Sequence, residues 1–201
     1  MMLPSAAGGA TTEQVGYFEV GPAVLADWIV RGFDSAWDTR PAGIVTMEEA
    51  VADLLPSGTE VTRYLCVPVG EWTALLSNGH LGTDVGVLPS YAARELGCRA
   101  MRVLSVDDTA TYPARVLEVF GSEGEQPLAL ERSIVAANDG GRWVFETSGT
   151  AYPFEDQSAY QRRSKARRFT TEMVYDYLRA LGVPTDVTID WSGAIVVERR
   201  R

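Results

Sequence analysis

Lys165 is the only lysine among eighteen basic side chains, His80 is the only histidine, and Cys66 and Cys98 are the only cysteines. One histidine and two distant cysteines cannot build a Cys/His zinc cluster, and no C-x-x-C is present. Each cysteine lies in an apolar, strand-like context (CVPV and CRAMRV), which reads as a small buried hydrophobe in a reducing compartment. No stretch free of Asp, Glu, Lys and Arg exceeds 12 residues, too short for the roughly 20 residues of a membrane-spanning helix. The start, MMLPSAAGGATTEQVG, lacks the positive residues and apolar run of a signal peptide. Residues 1–16 read as a disordered arm, residues 17–201 as a single α+β domain, and the protein as cytoplasmic. There is no G-x-S-x-G elbow, no P-loop lysine, no Rossmann glycine spacing and no calcium-loop pattern, so no cofactor or metal is implied.

Charge is present in quantity but unevenly. The formal net charge is −9. Residues 1–161 carry nine basic and twenty-two acidic side chains, whereas residues 162–201 carry nine basic and five acidic ones. The acidic part disfavours nucleic acid and favours basic partners. The tail has the opposite sign, concentrated in YQRRSKARRF at residues 160–169.

Periodicity divides the chain into elements. From Gly21 to Trp37, Leu25, Trp28, Ile29, Gly32, Phe33 and Ala36 fall on one helical stripe, with Pro22 at the first position. Thr46 and Glu49 have capping-box spacing and open a short helix that ends before Pro56. Residues 63–79 read as two strands joined near Gly70, and Pro89 to Leu96 as a helix stopped by Gly97. Strands follow at 99–106 and 114–121, with a polar turn at 122–126. A hairpin closes at Asn138-Asp139-Gly140-Gly141, where three residue types tolerate positive φ. Thr170 or Thr171 caps a last helix whose stripe is Met173, Val174, Tyr177, Leu178 and Leu181, ended by Gly182 and Pro184. TIDWSGAIVVE closes the chain as a strand or hairpin around Ser192-Gly193. The expected fold is α+β: a largely antiparallel sheet of about five to seven strands, with helices near both chain ends packed on one face.

Candidate sites are of three kinds. A helix over 157–169 would scatter Arg162, Arg163, Lys165, Arg167 and Arg168 around its circumference. Internal or solvated pairing fits such a ring better than anion binding, although an anion site is the sharper alternative. His80 with Asp84, and Ser77 before them, is the one grouping with catalytic residue types, set in a loop-like SNGHLGTD. The carboxylate pairs Asp107-Asp108, Glu123/Glu125 and Glu155-Asp156 lie in turns or at a cap, where adjacency does not give the facing geometry of acid–base work. Trp72, Trp143 and Trp191 each flank a hairpin turn, either covering the sheet or, for Arg142-Trp143, anchoring a partner.

The leading reading is a non-enzymatic, inhibitor- or immunity-like binding protein. It would hold a basic protein partner through an acidic face made of Asp107, Asp108, Glu123 and Glu125, with Arg142 and Trp143 as anchor. The second is a small-molecule protein or enzyme with a pocket between sheet and helices, drawing on His80, Asp84, Arg132 and Glu146. The third is anion or nucleic-acid binding by the arginine-rich end, where Arg199, Arg200 and Arg201 would enlarge the patch.

Overall fold

The computed structural model describes residues 14–33, 36–44, 46–56, 58, 60–79, 85–186 and 188–199. His80, Asp84, Arg200, Arg201 and most of the expected N-terminal arm lie outside these residues. Among the described residues there are nine strands and four α-helices. The strands are β1 (Gln14–Phe18), β2 (Trp37–Pro41), β3 (Arg63–Val69), β4 (Trp72–Ser77), β5 (Ala100–Val106), β6 (Ala114–Glu125), β7 (Leu130–Asn138), β8 (Trp143–Gly149) and β9 (Ile195–Arg199). The helices are α1 (Pro22–Gly32), α2 (Met47–Leu54), α3 (Leu88–Glu95) and α4 (Thr171–Ala180). One sheet contains every strand, in the order β2-β9-β3-β4-β1-β5-β6-β7-β8, and each neighbouring pair is antiparallel.

The sheet is therefore larger than the expected five to seven strands. β1 begins inside the stretch read as an arm, yet it sits at the centre between β4 and β5 and is buried along most of its length. Gly16 suits this place, because a Cβ there would come within 2.7 Å of the Phe18 ring. β2 replaces the end of the helix expected over Gly21–Trp37: α1 stops at Gly32, and Trp37 pairs with Arg199 on β9. As an edge strand it tolerates Pro41. At the other end of the sequence, Trp191–Gly193 forms a 3-10 turn that leads into β9 rather than a hairpin.

The helices divide between both faces of the sheet rather than sharing one. Leu25, Ala26, Trp28 and Ile29 of α1 join Ala92 and Ala93 of α3 over Phe18, Tyr64, Cys66, Leu75 and Val197. On the opposite face, Ala50 and Leu54 of α2 and Val174, Tyr177 and Leu178 of α4 pack with Val15, Leu65, Val67, Leu76, Met101 and Ile134. Unbroken apolar runs such as YLCV and WTALL are the chemical signature of strands buried on both sides. Trp28 also donates its indole N–H to Glu95 Oε2 at 2.8 Å, which ties α1 to α3.

Several local signals act as their residue types predict. Thr46 Oγ1 accepts from the Glu49 amide at 3.2 Å, and Thr170 Oγ1 accepts from Met173 at 3.3 Å. Asn138 Oδ1 accepts from the amides of Gly140 and Gly141 and closes the β7–β8 hairpin. The expected polar turn at 122–126 moves instead to 126–129, because β6 continues to Glu125 through an irregular stretch after Phe120.

Both cysteines are buried. Burial raises the Cys66 thiol far above its ordinary value and pushes Cys98 up to about 11. Neither thiol should react with a disulfide reagent within minutes at about pH 8, and both should react once the chain is unfolded. A stoichiometric fast thiol in the native protein would show that one face of the sheet opens.

Candidate functional site

The segment between β8 and α4 is held to the sheet by a buried ion pair. Arg132 on β7 and Glu155 in this segment have side chains only 4% and 0% exposed. The contact is bidentate: Arg132 Nε donates to Glu155 Oε1 at 2.9 Å and Nη2 donates to Oε2 at 2.7 Å. Arg132 Nη1 donates to the carbonyls of Ser148 and Gly149 at 3.1 and 3.0 Å. Gly149 makes this approach possible. Its φ is +79°, and a Cβ there would stand 2.0 Å from the Glu131 carbonyl oxygen.

Three tyrosine residues complete the carboxylate's surroundings. Glu155 Oε1 accepts from the Tyr152 amide at 2.9 Å, and Oε2 accepts from the Tyr160 hydroxyl at 2.9 Å. The Tyr177 hydroxyl of α4 lies 3.2 Å from that of Tyr160 and accepts from the Asp156 amide at 2.7 Å. Burial lowers the Arg132 pKa, but the hydrogen bonds and charge of Glu155 outweigh it and hold the guanidinium above its ordinary value. Burial raises Tyr160 strongly, and the Tyr177 hydroxyl and Glu155 carboxylate push it further, so it remains a neutral donor.

A cavity of about 410 Å³ lies against this network. Arg132, Thr147, Gln157, Tyr160, Gln161 and Arg168 line it, with Phe145 as an aromatic wall. The Arg168 guanidinium stands 5.5 Å from the Phe145 ring centroid, and its Nε donates to the Arg162 carbonyl at 2.7 Å. Its two terminal nitrogens have no protein acceptor among the described residues. With Arg132 neutralised by Glu155, Arg168 gives the cavity one net positive charge. Among the described residues no group of three or more His, Cys, Asp or Glu side chains is placed to hold a metal ion.

The expected basic helix is absent. Residues 157–169 form two 3-10 turns, Ala159–Gln161 and Lys165–Arg167, separated by an extended Arg162. Tyr160 and Phe169 are buried at either end and pin the segment down. Arg162 Nη1 donates to the Arg167 carbonyl at 3.0 Å, so Arg162 and Arg168 clasp each other's stretch of backbone. Arg163 and Arg167 are exposed, Lys165 is half-buried, and none of the three lines the cavity. Asp156 accepts from Ser158 and Ala159 and lies 3.7 Å from Arg162.

The expected acidic face is divided. Asp107 and Asp108 follow β5 beside Ala114, whereas Glu123 and Glu125 lie past Phe120, which is itself roughly 20 Å from Ala114 at the usual rise of a strand. Asp107 accepts from the amide and hydroxyl of Thr109, and Asp108 accepts from Arg115 Nη2 at 2.5 Å. Arg142 is exposed near the Asp107 end. Trp143 is only half-exposed, with the Arg115 guanidinium 5.3 Å from its ring centroid. Trp72 and Trp191 are buried. Arg132 and Glu146 do not converge: Arg132 shares its sheet face with Thr147 and Phe145, and Glu146 is exposed on the other.

Tyr152, Tyr160, Tyr177, Gln157 and Gln161 were not anticipated as a group. The signal was present in AYPFEDQSAYQ, where three aromatic rings surround two carboxylates without any periodicity. That pattern marks a loop packed by its own side chains.

Removing one partner of the buried pair leaves an uncompensated charge. Glu155→Gln should therefore destabilise by about 3–5 kcal/mol in denaturant titrations, and the double change Arg132→Met with Glu155→Leu should recover only part of the loss, because the Ser148 and Gly149 carbonyls and the Tyr152 amide stay without partners. The Ser158 hydroxyl and Ala159 amide hold the Asp156 carboxyl below its ordinary 3.8. Its contribution is present above that value and is lost as pH falls through the depressed one. Asp156→Asn should thus lower stability near neutrality and flatten the acid limb below about pH 4, where variant and wild type converge. Compared with known proteins, the chain matches no family model, no curated protein and no solved structure.

Proposed function

We propose that the protein binds a small hydroxylated anion, a carboxylate or phosphate ester, in the cavity between the β7–β8 hairpin and the 151–168 segment. One observation carries this reading. Arg168, whose terminal nitrogens have no protein acceptor among the described residues, lines a polar cavity together with a buried arginine, two amide side chains, two hydroxyls and the Phe145 ring. A guanidinium with two parallel donors matches the two oxygens of a carboxylate or phosphate. Amides and a threonine hydroxyl both donate and accept, which suits ligand hydroxyls better than a bare ion. The Arg132–Glu155 pair holds the wall in place, so little ordering is required on binding.

Arg132 came from the pocket hypothesis and Arg168 from the basic segment, and the fold brings both to one cavity. The divided carboxylates of the acidic face support no comparable single site, since one pair is engaged by its own neighbours.

Calorimetric titration with inorganic phosphate, a sugar phosphate and citrate tests the reading. At least one hydroxylated anion should bind with a Kd below about 1 mM, and Arg168→Ala should weaken it about tenfold or more. Arg163→Ala, which removes an exposed charge outside the cavity, should leave affinity within about twofold. Equal losses in both variants would reduce the effect to general electrostatics, and no binding by any of the three anions would overturn the proposal.

A further inference from the structure

Among the described residues seven large hydrophobic side chains are prominently exposed, and three of them gather in one place: Val87 at the N-cap of α3, Tyr91 of α3 and Leu128 of the β6–β7 turn, 62%, 48% and 55% exposed. The Tyr91 amide donates to the Val87 carbonyl, so these two lie one turn apart. The Ser90 hydroxyl donates to the Leu128 carbonyl at 2.6 Å, which clamps the turn against the helix beside Tyr91. Single exposed apolar residues are ordinary on a protein surface, whereas a cluster marks a contact site.

The turn itself is constructed rather than slack. β6 shifts register between Phe120 and Glu125, both of which face Leu130. A Cβ on Gly124 would lie 2.0 Å from the Ala129 carbonyl oxygen, so the two limbs of the turn touch backbone to backbone. Ala129 has φ +56° and is buried, a left-handed conformation that alanine adopts at a penalty. Burying Ala129 turns Leu128 outward, and Ser90 holds it there. Glu123 and Glu125 are exposed on the adjoining limb, with no basic side chain bonded to either among the described residues.

We propose that this surface, Leu128, Tyr91 and Val87 bordered by Glu123 and Glu125, docks a basic segment of a partner protein that also offers an apolar side chain. Charge chooses the partner. The two carboxylates are unneutralised, and the chain as a whole carries −9. The nearby cation is Arg94, whose guanidinium lies 5.7 Å from the Tyr91 ring centroid on one side. A lysine or arginine stem laid across Leu128 would place its charge at the glutamates while its methylenes cover the leucine. The site is separate from the anion cavity and does not rest on it.

The test uses the full chain and a short synthetic lysine/leucine peptide, with its glutamate/leucine counterpart as control, followed by backbone amide NMR. Shifts should be confined to Val87, Tyr91 and residues 122–129, and the acidic peptide should cause none. Leu128→Ser should weaken binding about tenfold at any salt concentration, and Glu123→Lys with Glu125→Lys should weaken it as much while abolishing its salt dependence. Leu128 is largely solvent-facing, so a dispersed spectrum of the serine variant keeps that result interpretable. Arg168→Ala should bind the peptide as the wild type does, which separates this site from the anion cavity. Shifts centred on Asp107–Asp108, or unchanged affinity in these variants, would overturn the proposal. So would a concentration-dependent dimer that Leu128→Ser abolishes, because the surface would then serve a second copy of this chain.

Discussion

The buried contact between Arg132 and Glu155 is the constraint on which the cavity half of the molecule depends. The stretch from Thr150 to Thr170 contains no α-helix and no strand. Such a segment must satisfy its backbone by other means or stay in water. Glu155 satisfies it from within, accepting from the Tyr152 amide and the Tyr160 hydroxyl while anchored to the sheet by Arg132. Arg132 in turn closes the carbonyls of Ser148 and Gly149, at the end of an edge strand. An apolar pair of equal volume could fill the same space, but it would leave those carbonyls and that amide without partners. The ion pair is thus retained for the hydrogen bonds it organises, and the rigid wall of the cavity follows from it.

Double-sided burial explains why the sheet can be so wide. Nine antiparallel strands with one solvated face would show polar alternation along most of them. Here β3 and β4 are apolar on both faces, and the four helices are shared between the two sides. The β7–β8 end is different. β8 is half-exposed to exposed along its whole length, with Glu146 and Ser148 turned to solvent on the face away from Arg132. It is also where the 151–168 segment replaces a helix as the covering layer, since Tyr160 and Phe169 enter the same core as α4. A packed loop leaves room that a packed helix would fill, and the cavity lies where that substitution occurs.

Much of the fold was legible wherever a residue type has one dominant local use. Asn138 and its glycines, Thr46, Thr170 and Pro22 all occupy the positions their chemistry favours. The failures share a cause. Phe33 and Ala36 continued a helical period past the end of α1 at Gly32, and QVGYF was too short and too near a polar start to compete as a strand, although tertiary pairing places it at the centre. The two faces of the sheet were legible in the apolar runs, which exclude a solvated side, but the count of helices near the chain ends drew attention away from them. The site was less accessible still. Arg132 and Glu155 stand twenty-three positions apart and meet through a hairpin whose course only the folded chain defines. The separation of Asp107 from Glu123 illustrates the same limit: sixteen residues suggest proximity, while the regular part of β6, Ala114 to Phe120, lies between them.

The near-absence of lysine now acquires a physical meaning. Arginine in this chain is used repeatedly to hold backbone carbonyls. Arg63 donates to those of Asp53 and Leu55, Arg132 to Ser148 and Gly149, Arg162 to Arg167, and Arg168 to Arg162. A guanidinium can do this while bonding a carboxylate with its remaining donors, as Arg63 does with Glu198 and Arg132 with Glu155. An ammonium, with three donors on one atom, cannot span two such partners in a plane. Within the basic run at 160–169, Arg162 and Arg168 therefore fasten a segment that has no helix to stabilise it. Arg163 and Arg167 are exposed, and their side chains bond no backbone carbonyl among the described residues. Arg168 differs because it lines the cavity while fastening occupies only its Nε, and its other two nitrogens have no acceptor among the described residues. The same residue chemistry thus serves the fold and, at one position, leaves the donors that a ligand's oxygens would take.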